Sequence, residues 1–410
     1  MEKCEWGLFK RKTLNMSRDR FFENPFEDFC EDTACCVIDS GQIKCDCKVA
    51  CKLEEKWKNT LAQFKHLDFN DYSVYTGTAG IALLKLKKDD QSKQNLQEAK
   101  ELLSLHRLRK KRHTFLCGDT GPLAIAAVID YKLGNKTYMQ CVQSIRAMEE
   151  DVLNINSDLA NEYLYGRAGY LFAVLYVNKH ISPPPFDENF VRKIIESILI
   201  CGKNEAKAGN FKCPLMYQWH ESYYLGAAHG LAGILYLLLQ AKEYLTETEL
   251  NTVIKPTIDY LDGMRFPSGN FPSSIGREQD KYVQWCHGAP GFLYLFSTAY
   301  KVFGNPKYLQ IALDCGEVIW ARGLLRKGYS ICHGVAGNAY CFLELYQTTQ
   351  DEKHLYRAIK FAEWCFDHNQ SRVEHTPDRP LSLFEGVSGP MYLFLDLQQP
   401  MEAKFPGYTL

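Results

Sequence analysis

The chain is short of net charge: 48 basic residues against 49 acidic ones leave −1 over 410 residues. So even a balance gives no electrostatic footprint for nucleic acid, which calls for a basic face. No apolar run comes near the ~20 residues that span a bilayer, so no membrane partner is needed. No apolar h-region follows the first charges, and Glu2 excludes N-myristoylation. Clean two-residue alternation is scarce, which argues against a β-rich fold. Paired Cys-x-x-Cys knuckles are missing despite 16 cysteines. A cytoplasmic chain with reduced thiols is expected.

What is present is a repeat. Glycine pairs with two residues between them recur at Gly77/Gly80, Gly118/Gly121, Gly166/Gly169, Gly230/Gly233, Gly288/Gly291, Gly334/Gly337 and Gly386/Gly389, with first glycines 41 to 64 residues apart. A period near 50 marks a repeat architecture. Every pair opens an apolar segment, such as Ile234-Leu235-Tyr236-Leu237-Leu238-Leu239, as suits a helix buried on all sides. Amphipathic stretches lie between. Residues 307–320 and 353–366 align without gaps, with Leu309/Leu355, Ala312/Ala358 and Glu317/Glu363 in register. Asn305-Pro306 marks a helix start.

Each unit therefore predicts an outer amphipathic helix and an inner apolar one. Seven such hairpins bury a common core most simply as a ring, which needs no polar end caps. The expected fold is all-α, a closed (α/α)7 barrel with the glycines at the inner-helix N-termini. Residues 1–54 read as an N-terminal arm with a Cys-rich segment, and 55–410 as one seven-repeat barrel. The segment holding Cys30, Cys35, Cys36, Cys45, Cys47 and Cys51 reads as a variable outer part rather than a zinc site. Cys141, Cys315, Cys341 and Cys365 sit on apolar helix faces and read as small core residues.

Equivalent positions of a ring face its axis. Those just before the first glycines are Thr76, Cys117, Tyr165, His229, His287, His333 and Glu385, all polar or ionisable. Two of the seven units begin Cys-His-Gly, at Cys286 and Cys332. On neighbouring mouths these cysteines can share one zinc ion, with an adjacent histidine as third ligand and the fourth position open. Such a site can hold and activate an exogenous thiol.

These motifs carry a resemblance. Thr114-Phe115-Leu116-Cys117-Gly118-Asp119, Tyr165-Gly166-Arg167-Ala168-Gly169, Gly226-Ala227-Ala228-His229-Gly230, Trp285-Cys286-His287-Gly288, Lys327-Gly328-Tyr329, Ile331-Cys332-His333-Gly334 and Phe384-Glu385-Gly386 resemble those of the lanthionine synthetase C-like proteins, eukaryotic relatives of the bacterial lantibiotic cyclases. The likeness runs from about Arg20 to the end. It implies a seven-fold α/α toroid, with one Zn2+ on Cys286, Cys332 and His333. It implies glutathione as the thiol, added to dehydroalanine or dehydrobutyrine residues of proteins to give a thioether.

His229, in the axial column, is then a candidate general acid, and Glu162 matches an acidic position catalytic in the bacterial cyclases. For glutathione's carboxylates the match offers Lys327, Arg20 and the stretch His375-Thr376-Pro377-Asp378. The family has arginine where His375 stands, and histidine lacks its bidentate fork, so weaker glutathione binding is expected. Arg372 and Arg379 lie nearby in sequence. Met16-Ser17-Arg18 resembles the usual family start, which leaves residues 1–15 as a leader without assigned role. The competing expectations are a non-enzymatic glutathione-binding scaffold or redox sensor and, behind it, a peptide cyclase.

Overall fold

A computed structural model describes residues 20–109, 112–367 and 377–410. The chain is mostly helical. Among the described residues the one named sheet is a two-residue hairpin, Ile38–Asp39 against Gln42–Ile43. Seven apolar helices follow the seven glycine pairs: Thr78–Lys88, Thr120–Lys132, Arg167–His180, Leu231–Gln240, Ala289–Phe303, Val335–Thr349 and Ser388–Asp396. The first glycine is the N-cap in five and precedes the N-cap in the second and seventh. Each inner helix packs on the next, and the seventh packs on the first.

The second glycine of each pair is required by crowding. At all seven, a Cβ would fall within 2.6 Å of the carbonyl oxygen six residues earlier in the entering loop. The tightest are Gly121 and Gly233, each 1.9 Å from the oxygen of Phe115 or Ala227. A backbone carbonyl cannot swing aside as a side-chain tip can. Gly121→Ala is therefore expected to cost at least the roughly 1–3 kcal/mol typical of overpacking. Urea unfolding checks it, and a midpoint equal to the parent's would refute the crowding account. Gly288 carries a second demand, a φ of +101° that L side chains rarely adopt.

Outer helices cover the ring. Lys93–Glu101, Tyr138–Arg146, Glu188–Ala208, Pro306–Arg322 and Glu352–Asp367 pack on inner helices one, two, three, five and six. Pro306–Arg322 starts as its sequence predicts: the Asn305 side chain accepts from the Lys307 amide at 3.0 Å, with proline in the first turn. The fourth outer element is irregular, with a π turn at Leu250–Ile254 leading into Lys255–Asp262. The seventh inner helix is covered from the other end of the chain, by Leu53–Gln63.

The Cys-rich segment forms two short helices and the hairpin, which lean on Glu352–Asp367. Cys47 is buried there, and Cys30, Cys35, Cys36, Cys45 and Cys51 are exposed. Cys141, Cys315, Cys341 and Cys365 are buried in the core. No helix among the described residues is long and apolar enough to cross a membrane.

Candidate active site

The loops entering the inner helices meet at one end of the ring. Each of the seven residues preceding a first glycine is at least partly open to solvent, whereas the glycine after it is buried. Burial of the glycine pins the backbone, so the preceding side chain is left in the mouth. Contacts join the neighbours: Tyr165 hydrogen-bonds Cys117 and lies flat against His229, with ring centroids 6.1 Å apart and planes 7° apart. Tyr224 bridges His229 and His287, its ring centroid 5.8 and 5.9 Å from theirs.

Cys286 and Cys332 come together although 46 residues separate them. The Cys286 amide donates to the Cys332 carbonyl at 3.4 Å, and the two thiols hydrogen-bond each other. Both are buried, at 8% and 3% exposure. The Gln284 amide donates to the Cys286 sulfur at 3.2 Å, and the Tyr75 hydroxyl donates to the Cys332 sulfur at 2.8 Å. Hydrogen bonding from Cys332, with help from the Lys327 charge and Gln284, holds Cys286 below the ordinary thiol range despite burial. Burial and the neighbouring Cys286 push Cys332 up. The pair thus favours a single negative charge carried on Cys286.

Two buried sulfur donors, one prone to ionise, suit the soft ligands that zinc prefers. His333 follows Cys332 at the mouth, half-buried, its amide 3.5 Å from the Ser330 hydroxyl. Among the described residues, no group of three or more His, Cys, Asp or Glu side chains is gathered as a ready-made metal cage. His287, the other adjacent histidine, has its Nδ1 buried without a partner, and its pKa is pushed down to about 4 by burial, then by His229 and Lys327.

Glu162 and His229 form the second centre. The Glu162 carboxylate, 1% exposed, lies 2.9 Å from His229 Nδ1, and the imidazole is 23% exposed. The same carboxylate accepts from the amides of Leu164 and Tyr165, so it is fixed by its own loop. A carboxylate on Nδ1 sets the tautomer and leaves Nε2 for chemistry. Among the described residues the protein therefore presents a histidine oriented by a buried acid within one aromatic ring of the Cys286 loop.

Arg20 belongs to a short arm joined to the loop before Lys327 by an isolated bridge between Phe21 and Leu325. Its carbonyl accepts from the Arg326 amide at 3.0 Å, and its guanidinium lies over the Tyr282 ring at 4.8 Å. Tyr282 in turn touches His287. Lys327 is exposed beside this arm. Of the last predicted stretch, Pro377 and Asp378 are solvent-accessible, while His375 and Thr376 lie outside the described residues. Arg379 is engaged with Asp68 at 2.7 Å. Sequence reasoning missed Tyr75 and Gln284. Gln284 stands two residues before Cys286, a local signal; Tyr75 is 257 residues from the sulfur it touches and gives none.

The family model described as lanthionine synthetase C-like protein matches residues 68–410. The chain belongs to the lanthionine synthetase C-like family. Glutathione S-transferase LANCL1 of Danio rerio is 40% identical over 406 residues, covering 96% of this chain and 100% of that one. Among solved structures, a nisin cyclase superposes with a TM-score of 0.60 at 20% identity, covering 86% of this chain and 93% of that one. At that identity the likeness concerns fold alone, and it agrees with the cyclic succession of inner helices.

Proposed function

We propose that this family member is a cytoplasmic, zinc-dependent glutathione transferase that adds glutathione to dehydroalanine or dehydrobutyrine residues of proteins. The cyclic inner helices are read as a closed (α/α)7 barrel with the reaction at its mouth. One observation carries the reading: two hydrogen-bonded buried cysteines and a carboxylate-held histidine converge at the same end of the ring. Michael addition needs both a thiolate near neutral pH and a proton for the carbon left negative. The relative named glutathione S-transferase supports glutathione as the thiol.

Cys286, Cys332 and His333 would hold the metal. When bound, zinc supplies acidification of a coordinated thiol. Tyr75 and Gln284, donating to the two sulfurs, orient them and temper their charge. Lys327 and Arg20 draw the glutathione carboxylates to the rim. The sulfur forms a bond to the β-carbon as the C=C π pair moves to the α-carbon. His229 passes a proton from Nε2 to that carbon, and Glu162 holds the ring in place through Nδ1. The imidazole regains a proton from solvent, balancing the one shed by the thiol.

Purified protein incubated with glutathione and a dehydroalanine peptide is expected to show a glutathione mass gain that vanishes on zinc stripping and returns with zinc. No gain above the uncatalysed rate in zinc-loaded protein would overturn the transferase reading in favour of a glutathione-binding scaffold. Lys327→Gln is expected to raise the glutathione concentration at half-saturation about tenfold, since a charged hydrogen bond is worth roughly 1.5–3 kcal/mol and Lys327 is exposed. Initial rates against glutathione decide it; an unchanged value would remove Lys327 from the site.

A further inference from the structure

Beside the His229–Glu162 pair lies a cleft of about 580 Å3 lined by Arg112, His113, Leu159, Tyr165, Trp219 and His220. Its wall is aromatic: Trp219 stacks on Tyr165 at 6.0 Å and 22°, and on His229 at 6.4 Å and 20°. Arg112 stands exposed at its rim. The Arg112 guanidinium lies over the Tyr165 ring at 5.7 Å and forms no salt bridge among the described residues. His113 is 9% exposed; its Nε2 meets Asp151 at 3.2 Å, while Nδ1 is buried with no hydrogen-bond partner. Trp219 and His220 sit on a two-residue turn closed by paired bonds between Trp219 and Ser222, at 2.9 and 3.0 Å. Both central residues, His220 (φ 45°) and Glu221 (φ 57°), are left-handed without being glycine. Non-glycine residues are held so only where the surroundings demand it.

None of these groups is needed to activate the thiol. Tyr165 and Trp219 stack beside the proposed proton donor, within reach of the electrophile's own chain. We propose that this cleft binds the peptide that carries the dehydroamino acid, with an anionic side chain of that peptide engaging Arg112 and the backbone lying along the Trp219–Tyr165 wall. The proposal rests on the transferase reading for its place in the reaction. A guanidinium without an ion-pair partner, set over an aromatic wall, selects carboxylate or phosphate. A cavity of this size accommodates a few residues of extended chain rather than a whole protein surface.

The test uses the full chain and three peptides identical except at one residue: phosphoserine, glutamate or glutamine. Alanine replaces the dehydroamino acid, so binding is read without chemistry. Anisotropy titrations are expected to show the two anionic peptides at least about tenfold tighter than the glutamine peptide. R112Q should bring that ratio near one while glutathione affinity, titrated in the same preparation, stays unchanged. A phosphoserine peptide tighter than the glutamate peptide identifies phosphate as the anion read; equal affinities show that a carboxylate suffices. Should R112Q fail to fold, the preference in the parent protein must still shrink as salt is raised from 50 to 500 mM. Equal affinity of the parent for all three peptides, or an undiminished preference in folded R112Q, overturns the proposal. Because no peptide can react, failure of the transferase reading leaves this result standing on its own.

Discussion

Cys332→Ser is expected to abolish both metal retention and glutathione addition. A hydroxyl is a poor ligand for a soft site, so the substitution removes one of the two buried sulfur donors. Zinc content should fall from about one per chain to near zero, and turnover to the uncatalysed rate. The fold should persist, since the Cys332 amide still donates to the Phe384 carbonyl at 3.0 Å. Elemental analysis beside the mass-gain assay checks both. A folded variant that keeps its zinc and half its activity would exclude Cys332 as a ligand. Tyr75→Phe should be milder, costing about 10–100-fold in metal affinity, as removal of an outer hydrogen bond to a ligand does.

His229→Ala is expected to lower turnover by about 10²–10⁴-fold with zinc content and glutathione affinity intact. The separation follows from geometry: His229 is hydrogen-bonded to Glu162, whereas the Cys286 and Cys332 sulfurs are held by Gln284 and Tyr75. Glu162→Gln should fall between His229→Ala and the parent. Gln keeps an oxygen for Nδ1 but removes the carboxylate that holds the ring in place. Single-turnover rates at saturating glutathione distinguish these outcomes. A His229→Ala enzyme with parental turnover would assign the proton to solvent and reduce the histidine to wall.

The glycine pairs made the inner helices legible because the cause of each glycine is local. A carbonyl six residues back forbids a Cβ, whatever the rest of the molecule does. The column of polar residues was legible for the same reason, being fixed relative to the glycines. Glu162 was harder to read. A lone glutamate in a polar loop looks like surface, and it is buried because a histidine 67 residues away and two amides of its own loop hold it. The cleft was invisible: Arg112, Leu159 and Trp219 belong to three units, and none of their motifs hints that they share a wall. Nor does any periodicity announce that Leu53–Gln63 serves the seventh inner helix, since hairpin logic looks for each partner next door.

That last pairing has a consequence for how the chain is made. Leu53–Gln63 leaves the ribosome more than 300 residues before the surface it covers, Ser388–Asp396. Until then its apolar side has only the first inner helix to lean on, where Lys88 lies over the Trp57 ring. The two segments act as a clasp that fastens only once both have emerged, and the nascent protein must pass through a stage in which six inner helices stand without their seventh.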